Sequence, residues 1–324
     1  MRRGITLICV VLLLSLLLCS CSQYKQIEPS EQDMRVVGDV QGKQVYLDEL
    51  RFAAYTCYAE LVAQYGEDAF KGEDAEKYFG MLCEAVYSSI TADYAVLLLC
   101  EEALIGLGES AVTESVDQKM QSLVDELGGM GKYKKYLKEN HLSDRYLRRS
   151  TEISLLQNEL MYVYTDDLSL IENNDEKIYD IIKDEFIVVR HIFVSDRDAD
   201  KIALADAELN AGADFAAVMQ QYNQDTQMSA SGEFILHGYA SEKYESVAFS
   251  LKVGERSRPI QDSGGYYIIE RREMSISDLM LKFDYLKQLW QTHEFYAMID
   301  AKQAELTFNP NRECISFMRD TFLS

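Results

Sequence analysis

The sequence predicts an α+β protein in which a large helical region precedes a compact unit of short strands and helices, and three observations lead there. Only three prolines occur in 324 residues, Pro29, Pro259 and Pro310, so nothing between residues 30 and 258 forbids long helices. Apolar residues recur at helical spacing through most of residues 47–184. At Phe186 the pattern changes to a β-branched, apolar run, Phe186-Ile187-Val188-Val189-Arg190-His191-Ile192-Phe193-Val194, which has the length and composition of a buried strand.

The chain opens on Met1-Arg2-Arg3, a short basic start, followed by an apolar run from Ile5 to Leu18 broken only by Thr6 and Ser15. At about 14 residues the run falls short of the roughly 20 that a membrane-spanning helix needs. Residues 1–20 therefore read as a secretory signal peptide, with an anchor helix as the alternative. Leu18-Cys19-Ser20-Cys21 resembles the bacterial lipobox, which wants an aliphatic residue three places before the modified cysteine and a small one directly before it. That resemblance implies cleavage before Cys21 and a lipid on Cys21, whose acyl chains bind a membrane with about 0.8 kcal/mol per buried CH₂. The polar residues 21–34 then read as a tether.

After it, Val36 to Val40 and Lys43 to Tyr46 flank Gln41-Gly42 and predict a small hairpin. Asp48 and Glu49 suit the start of a helix that runs to about Tyr65 with Leu50, Ala54, Cys57 and Leu61 on one stripe. A second helix is predicted from Glu73 to Leu107, apolar nearly all round at Tyr94–Leu99, so that its middle should be buried. A third ends at Gly128-Gly129, and others cover 132–140, 143–164 and 175–184, with Ser143-Asp144 as the cap of the longest. Beyond the strand at 186–194 come helical patterns at 197–211 and 214–222, a Gly-containing segment at 231–238, and a short helix at 241–251. Strand candidates at 256–261 and 265–271 close the unit. A β-α-α-β-α-β-β order within about 90 residues describes a compact α+β domain. The stretch 277–306 is helical again, with Leu279, Phe283, Leu286, Trp290, Phe295 and Ile299 on a broad apolar face.

With 54 acidic and 32 basic residues the formal net charge is −22, and it becomes more negative once Arg2 and Arg3 are removed. Such a surface argues against nucleic acid as a partner. Of seven cysteines, Cys9, Cys19 and Cys21 belong to the export segment. Cys57, Cys83, Cys100 and Cys314 show no CxxC or zinc-ligand spacing. Outside the cytoplasm a disulfide among them is permitted, but spacing alone cannot pair them, and buried thiols are expected. His141, His191, His237 and His293 are scattered, so neither a metal nor a cofactor is expected.

Four blocks in order then point to a family. They are Val189-Arg190-His191-Ile192-Phe193-Val194, Ala213-Asp214-Phe215 with Tyr222-Asn223-Gln224-Asp225, Val247 to Glu255, and Pro259 with Gly265-Tyr266-Tyr267-Ile268-Ile269. Together they resemble a parvulin-type (PpiC) peptidyl-prolyl isomerase domain. The hairpin and helix at 37–50, and Tyr136-Leu137 with His141-Leu142-Ser143, resemble the N-domain of PrsA-like and SurA-like foldases. The resemblance implies a helical foldase or chaperone domain over 35–183, an inserted parvulin domain over 184–275 with an antiparallel sheet and flanking helices, and a segment 276–324 whose helix returns to the N-domain. It also implies a lipoprotein on the extracytoplasmic face of a Gram-positive membrane, acting on unfolded or partly folded exported proteins that contain Xaa-Pro bonds. Oligomeric state is left open, a homodimer included.

The chemistry explains the residues that the family uses. The peptide bond resists rotation by about 18–20 kcal/mol because of its partial double-bond character. Catalysis needs an apolar socket for the proline ring and polar groups that favour the twisted amide. By resemblance His191 is the strand histidine, Asp225 the acidic residue facing it, and Phe234, Tyr244 and Phe249 line the socket. Two departures stand out. The family's second histidine is here Tyr267, which retains a hydroxyl donor and leaves room for a rewired network. The loop that brings a methionine to the socket is about two residues shorter, with Ala240-Ser241 near its place; His237 in that loop is not counted as a substitute. The leading expectation is a weak isomerase using His191, Asp225 and Tyr267. The other is a chaperone that binds peptide without turnover, for which a helical domain rich in Tyr and Met is suited.

Overall fold

The computed structural model describes residues 23–105 and 110–323. Residues 1–20, read above as a signal peptide, and Cys21 lie outside the described residues. The chain divides into two compact units, one that runs to Leu168 and resumes at Phe295, and another comprising Ser169–Glu294.

The first unit begins with the antiparallel hairpin β1 (Val36–Val40) and β2 (Lys43–Tyr46). Its turn residues Gln41 and Gly42 both have positive φ, 49° and 80°, the conformation that matches a two-residue loop to strand twist. Helices α1 (Leu47–Tyr65), α2 (Ala75–Glu102), α3 (Ser110–Leu127), α4 (Met130–Glu139) and α5 (Asp144–Tyr162) follow. The middle of α2 is buried as its all-round apolar pattern requires, with Tyr94, Ala95 and Cys100 inaccessible. It packs on both α1 and α5.

Asp48 and Glu49 do more than favour a helix start, for both are buried. Arg145 at the start of α5 pairs with Asp48 and, at 2.8 Å, with Glu49. Ser143 caps α5 by accepting from Tyr146 N at 2.9 Å and donates to Asp48 at 2.5 Å. One carboxylate pair thus ties the N-termini of two helices together. The stretch expected to be a free tether is docked from Tyr24 onwards: its hydroxyl donates to Asp144 at 2.9 Å, Ile27 N does so at 3.1 Å, and Asp33 pairs with Arg51 at 2.8 Å. The polar composition of the stretch concealed an aromatic anchor, since the Tyr24 ring meets Tyr133 edge-on at 6.1 Å.

The end of the chain completes this unit. Strand β7 (Phe308–Pro310) pairs antiparallel with β1, giving a sheet of order β2-β1-β7. Gly38 permits the close approach, because a Cβ there would lie 2.5 Å from Asn309 O and from the Phe308 ring. A last amphipathic helix, Arg312–Phe322, buries Cys314, Met318 and Phe322.

The second unit contains α6 (Asp175–Glu185), β3 (Ile187–Ser195), α7 (Asp200–Asn210), α8 (Phe215–Tyr222), β4 (Glu233–Ile235), α9 (Glu242–Ser250), β5 (Ile260–Asp262) and β6 (Gly265–Arg272). Its sheet is antiparallel with order β4-β3-β6-β5. Alternation along β3 divides the core. Ile192 and Val194, with Ile268, pack under α7 and α8; Ile187 and Val189, with Ile269, pack under α9. The strand expected at 256–261 is realised only from Ile260, and Arg256 makes a single bridge to Glu270.

Helix α10 (Ile276–Ala304) begins in the second unit and ends in the first. The unit boundaries therefore fall at 168/169 and 294/295, where the sequence suggested 183/184 and 275/276. The cause is local: Trp290 donates to Glu185 at 2.9 Å, Gln291 to Glu172 O at 3.0 Å, and Lys287 pairs with Asp175 at 2.7 Å. These contacts hold α6 and its approach to the first part of α10.

Burial, followed by the nearby Glu49 charge, pushes the Asp93 carboxyl up from 3.8 to about 6. The folded protein thus keeps a proton that the unfolded chain has lost, and the stability linked to it is complete below pH 3.8 and lost as pH rises to about 6. Asp93→Asn should stabilise the protein. Its advantage over wild type, measured by chemical denaturation, should grow from about pH 4 to 6 and then level off. An advantage that shrinks with rising pH would mean that favourable ion pairing dominates at this site.

Candidate active site

The site is built on one face of β3. Register places His191 opposite Ile269 and Phe193 opposite Tyr267, so His191, Phe193, Tyr267 and Ile269 share a face. Helix α9 crosses that face and contributes Tyr244 and Ala248. His191 is only 7% exposed, and burying an imidazole obliges both nitrogens to find partners.

Asp225 reaches it because β3 lacks a strand partner on one side beyond Val189. Strand β4 covers only Ile187 to Val189. Further along, Asn223 Oδ1 accepts from Phe193 N at 2.8 Å, Gln224 Oε1 accepts from Ser195 N at 2.9 Å, and Gln224 N donates to Phe193 O at 2.8 Å. Two side chains and one amide therefore stand in for a strand and set Asp225 beside the imidazole. Asn223 also accepts from Asp225 N at 3.2 Å and donates to Asp225 O at 2.7 Å. Asp225 Oδ1 is occupied by Gln227 N at 2.9 Å, and Oδ2 meets His191 Nε2 at 3.1 Å.

The other nitrogen, Nδ1, lies 2.9 Å from the Tyr244 hydroxyl. Burial holds the His191 pKa below the ordinary imidazole value, while Asp225 opposes the shift through its charge and hydrogen bond. The ring is therefore neutral at pH 7. An ionised carboxylate can only accept, so Nε2 carries the proton, Nδ1 accepts, and Tyr244 donates. Burial first, then Tyr267 and Asp225, raise the Tyr244 phenol pKa and keep that donor protonated.

Tyr267 completes an aromatic wall. Its ring stands edge-on to His191 at 5.2 Å and to Tyr244 at 5.5 Å, and tilted against Phe193 at 4.8 Å. With both imidazole nitrogens engaged elsewhere, Tyr267 meets His191 through its ring and not its hydroxyl.

Residues 177–275 match the family described as the PPIC-type PPIase domain. A curated relative, the foldase protein PrsA of Caldanaerobacter subterraneus subsp. tengcongensis, is 27% identical over 312 residues, covering 93% of this chain and 90% of its own. The chain is a PrsA-like parvulin foldase. PrsA of Geobacillus kaustophilus is 24% identical over 198 residues, covering 60% of this chain and 65% of its own length. Among solved structures, PrsA from Bacillus anthracis aligns with 19% identity and a TM-score of 0.36, covering 65% of this chain and 94% of its own. The parvulin domain of this foldase is of the peptidyl-prolyl cis-trans isomerase class.

Against the sequence reading, His191 and Asp225 meet as hydrogen-bond partners, with Tyr267 and Tyr244 around them. Tyr244 differs in role, because it supplies the polar contact left open for Tyr267 instead of serving only as an apolar wall. Phe249 lies in the same apolar cluster as Tyr244. It stacks on the exposed His237 at 3.5 Å. Phe234 does not belong to the site. It pairs with Val188, which puts it on the opposite face from His191, and its ring lies under Lys282 at 5.7 Å. Its neighbour Ile235 takes the place beside Tyr244. A one-residue change of parity decides the face, and the pairing partner of a three-residue strand is not readable from the sequence.

The shortened loop at 238–243 is tied down by a residue the sequence reading missed. Glu245 is buried and accepts from Gly238 N at 3.0 Å and Ala240 N at 2.7 Å. Burial alone would raise its pKa, but those amides and His237 outweigh it and hold the carboxyl below its ordinary value. An acidic residue next to Tyr244 on an otherwise apolar helix face was the available signal. The geometry predicts that ¹⁵N NMR at pH 7 finds His191 neutral with its proton on Nε2. In Tyr244→Phe the Nδ1 resonance should move toward that of an unbonded pyridine-type nitrogen. A doubly protonated ring at pH 7, or an unmoved Nδ1, would refute the donor assignment.

Proposed function

We propose that this foldase catalyses cis-trans isomerisation of Xaa-Pro bonds in exported proteins, with Asp225 and Tyr267 facing the peptide and His191 and Tyr244 holding them in place. One observation carries the reading: His191 is buried between two hydrogen-bond partners, while the Asp225 side chain remains 32% exposed. Substrate can reach Asp225 and the partly buried Tyr267 ring far more easily than the imidazole. The two isomers of an Xaa-Pro bond lie within about 1 kcal/mol yet exchange in tens to hundreds of seconds. A site that grips the proline ring and holds the adjoining amide off its plane shortens that time without any covalent step. Ala240, Phe249 and Ile235 around Tyr244 supply the apolar surface for the ring. The Tyr267 hydroxyl can donate to the amide and the Asp225 carboxylate can accept from it.

Turnover of Xaa-Pro peptides by purified protein tests this proposal. Asp225→Ala and His191→Ala should lower kcat by up to about 100-fold through misplacement of the amide. Tyr244→Phe should cost about fivefold, the value of one hydrogen bond. Tyr267→His should leave activity within about twofold of wild type, because no imidazole nitrogen is free to pair with the new ring. A wild-type rate equal to the uncatalysed rate would sink the isomerase reading.

A client-holding role without turnover would then replace it, and the first unit has surface suited to that. Leu104, 90% exposed, lines a groove of about 610 Å³ with Ile105, Val112, Leu155, Val163 and Leu168. Within the same proposal the protein sits on the extracytoplasmic face of a membrane, held by a lipid on Cys21, as Leu18-Cys19-Ser20-Cys21 suggests. Cys21→Ser should release it from the membrane fraction and abolish its acylation. Retention of both in that variant would point to Cys19 or to an uncleaved anchor helix.

A further inference from the structure

The last segment of the chain runs antiparallel along α2, and the order of its contacts brings Cys314 to the stretch of α2 that carries Cys83. Phe308 meets the Tyr87 ring at 5.1 Å. Arg319 pairs with Glu76 and lies 5.3 Å over Phe79. Glu76, Phe79, Cys83 and Tyr87 follow one another at three- and four-residue spacing and share a stripe of α2. Between the Phe308–Tyr87 contact at one end and the Arg319–Glu76 pair at the other stand Cys314, fully buried, and Cys83, partly buried. The Tyr87 hydroxyl lies beside both thiols. Burial pushes the Cys314 thiol up to about 12, and the neighbouring Cys83 adds to that shift.

The remaining cysteines are placed otherwise. Cys100 donates to Leu156 O at 3.8 Å, and Cys57 is buried on α1.

We propose that Cys83 and Cys314 are a disulfide-forming pair, oxidised by exchange with a disulfide oxidant, that staples the chain terminus to α2. Both are free thiols in this structure. In the first step the more accessible Cys83, as thiolate, attacks one sulfur of the oxidant's disulfide, forming a mixed disulfide and releasing one thiolate. Cys314 then attacks the Cys83 sulfur, closing the protein disulfide and releasing the oxidant's second thiol. The cysteine pair loses two protons and two electrons, and the oxidant gains them as two thiols. Tyr87 moves aside as the sulfurs close to about 2.05 Å. The closed loop contains the whole of the second unit, so the staple secures the segment that follows that unit to the helix that precedes it. The extracytoplasmic reading bears only on where such an oxidant is met; the chemistry of the pair is independent of it.

Full-length protein equilibrated with oxidised and reduced glutathione, alkylated and digested, should yield a Cys83–Cys314 disulfide peptide with Cys57 and Cys100 alkylated. Oxidation should raise Tm by about 5–10 °C. Cys57→Ser should keep both effects and Cys83→Ser should lose both. Failure to find the Cys83–Cys314 peptide in the folded wild type, its formation only in denaturant, or pairing of either residue with Cys57 or Cys100 would overturn the proposal.

Discussion

Burying an imidazole on the face of a sheet constrains everything around it. Each unsatisfied nitrogen would cost about 1–3 kcal/mol, so His191 requires a donor on one side and an acceptor on the other. The acceptor, Asp225, lies on no strand or helix, and its position depends on Asn223 and Gln224 acting as a substitute strand against β3. The donor, Tyr244, is delivered by α9, whose approach is held by the Glu245 carboxylate capping the preceding loop. Sheet pairing, loop and helix position are thus tied to the satisfaction of one ring.

Tyr267 takes on a different meaning in this setting. Where the parvulin pattern has a second histidine, this chain places a phenol that contributes ring packing to His191 and leaves its hydroxyl for other partners. The hydrogen bond at Nδ1 comes instead from Tyr244, at a position read from the sequence as socket wall. In the proposed mechanism a neutral imidazole with a defined tautomer orients Asp225, and the more accessible edge of the site consists of a partly buried carboxylate and phenol.

The first unit solves a similar problem with charge. Asp48 and Glu49 are buried at the start of α1, and Arg145 with Ser143 from α5 satisfies them. Removing one partner of such a cluster leaves an uncompensated buried charge, which costs far more than the intact cluster contributes. The arrangement therefore specifies which helix ends meet. The C-terminal strand β7 adds a second specification, since only a glycine at position 38 admits it.

Much of this was legible in one dimension. A continuous β-branched apolar run identifies β3 and period-3.6 patterns identify the long helices because burial alone dictates them, and Ser143 announces a helix cap because its hydroxyl bonds locally. The pairing of His191 with Asp225 was implied by the resemblance of four ordered blocks to a parvulin domain, not by any local pattern of the residues. What stayed hidden depends on contacts between distant residues. The face occupied by Phe234 turns on the register of a three-residue strand. The donor to His191 turns on a helix crossing the sheet at the height of Tyr244. The docking of Tyr24 on Asp144 and of β7 on β1 joins residues far apart in the chain that no local pattern connects. Local hydrogen bonding and periodic burial belong to the sequence by itself; register, partner choice and the protonation of a buried ring arise only when the folded chain removes water from particular atoms.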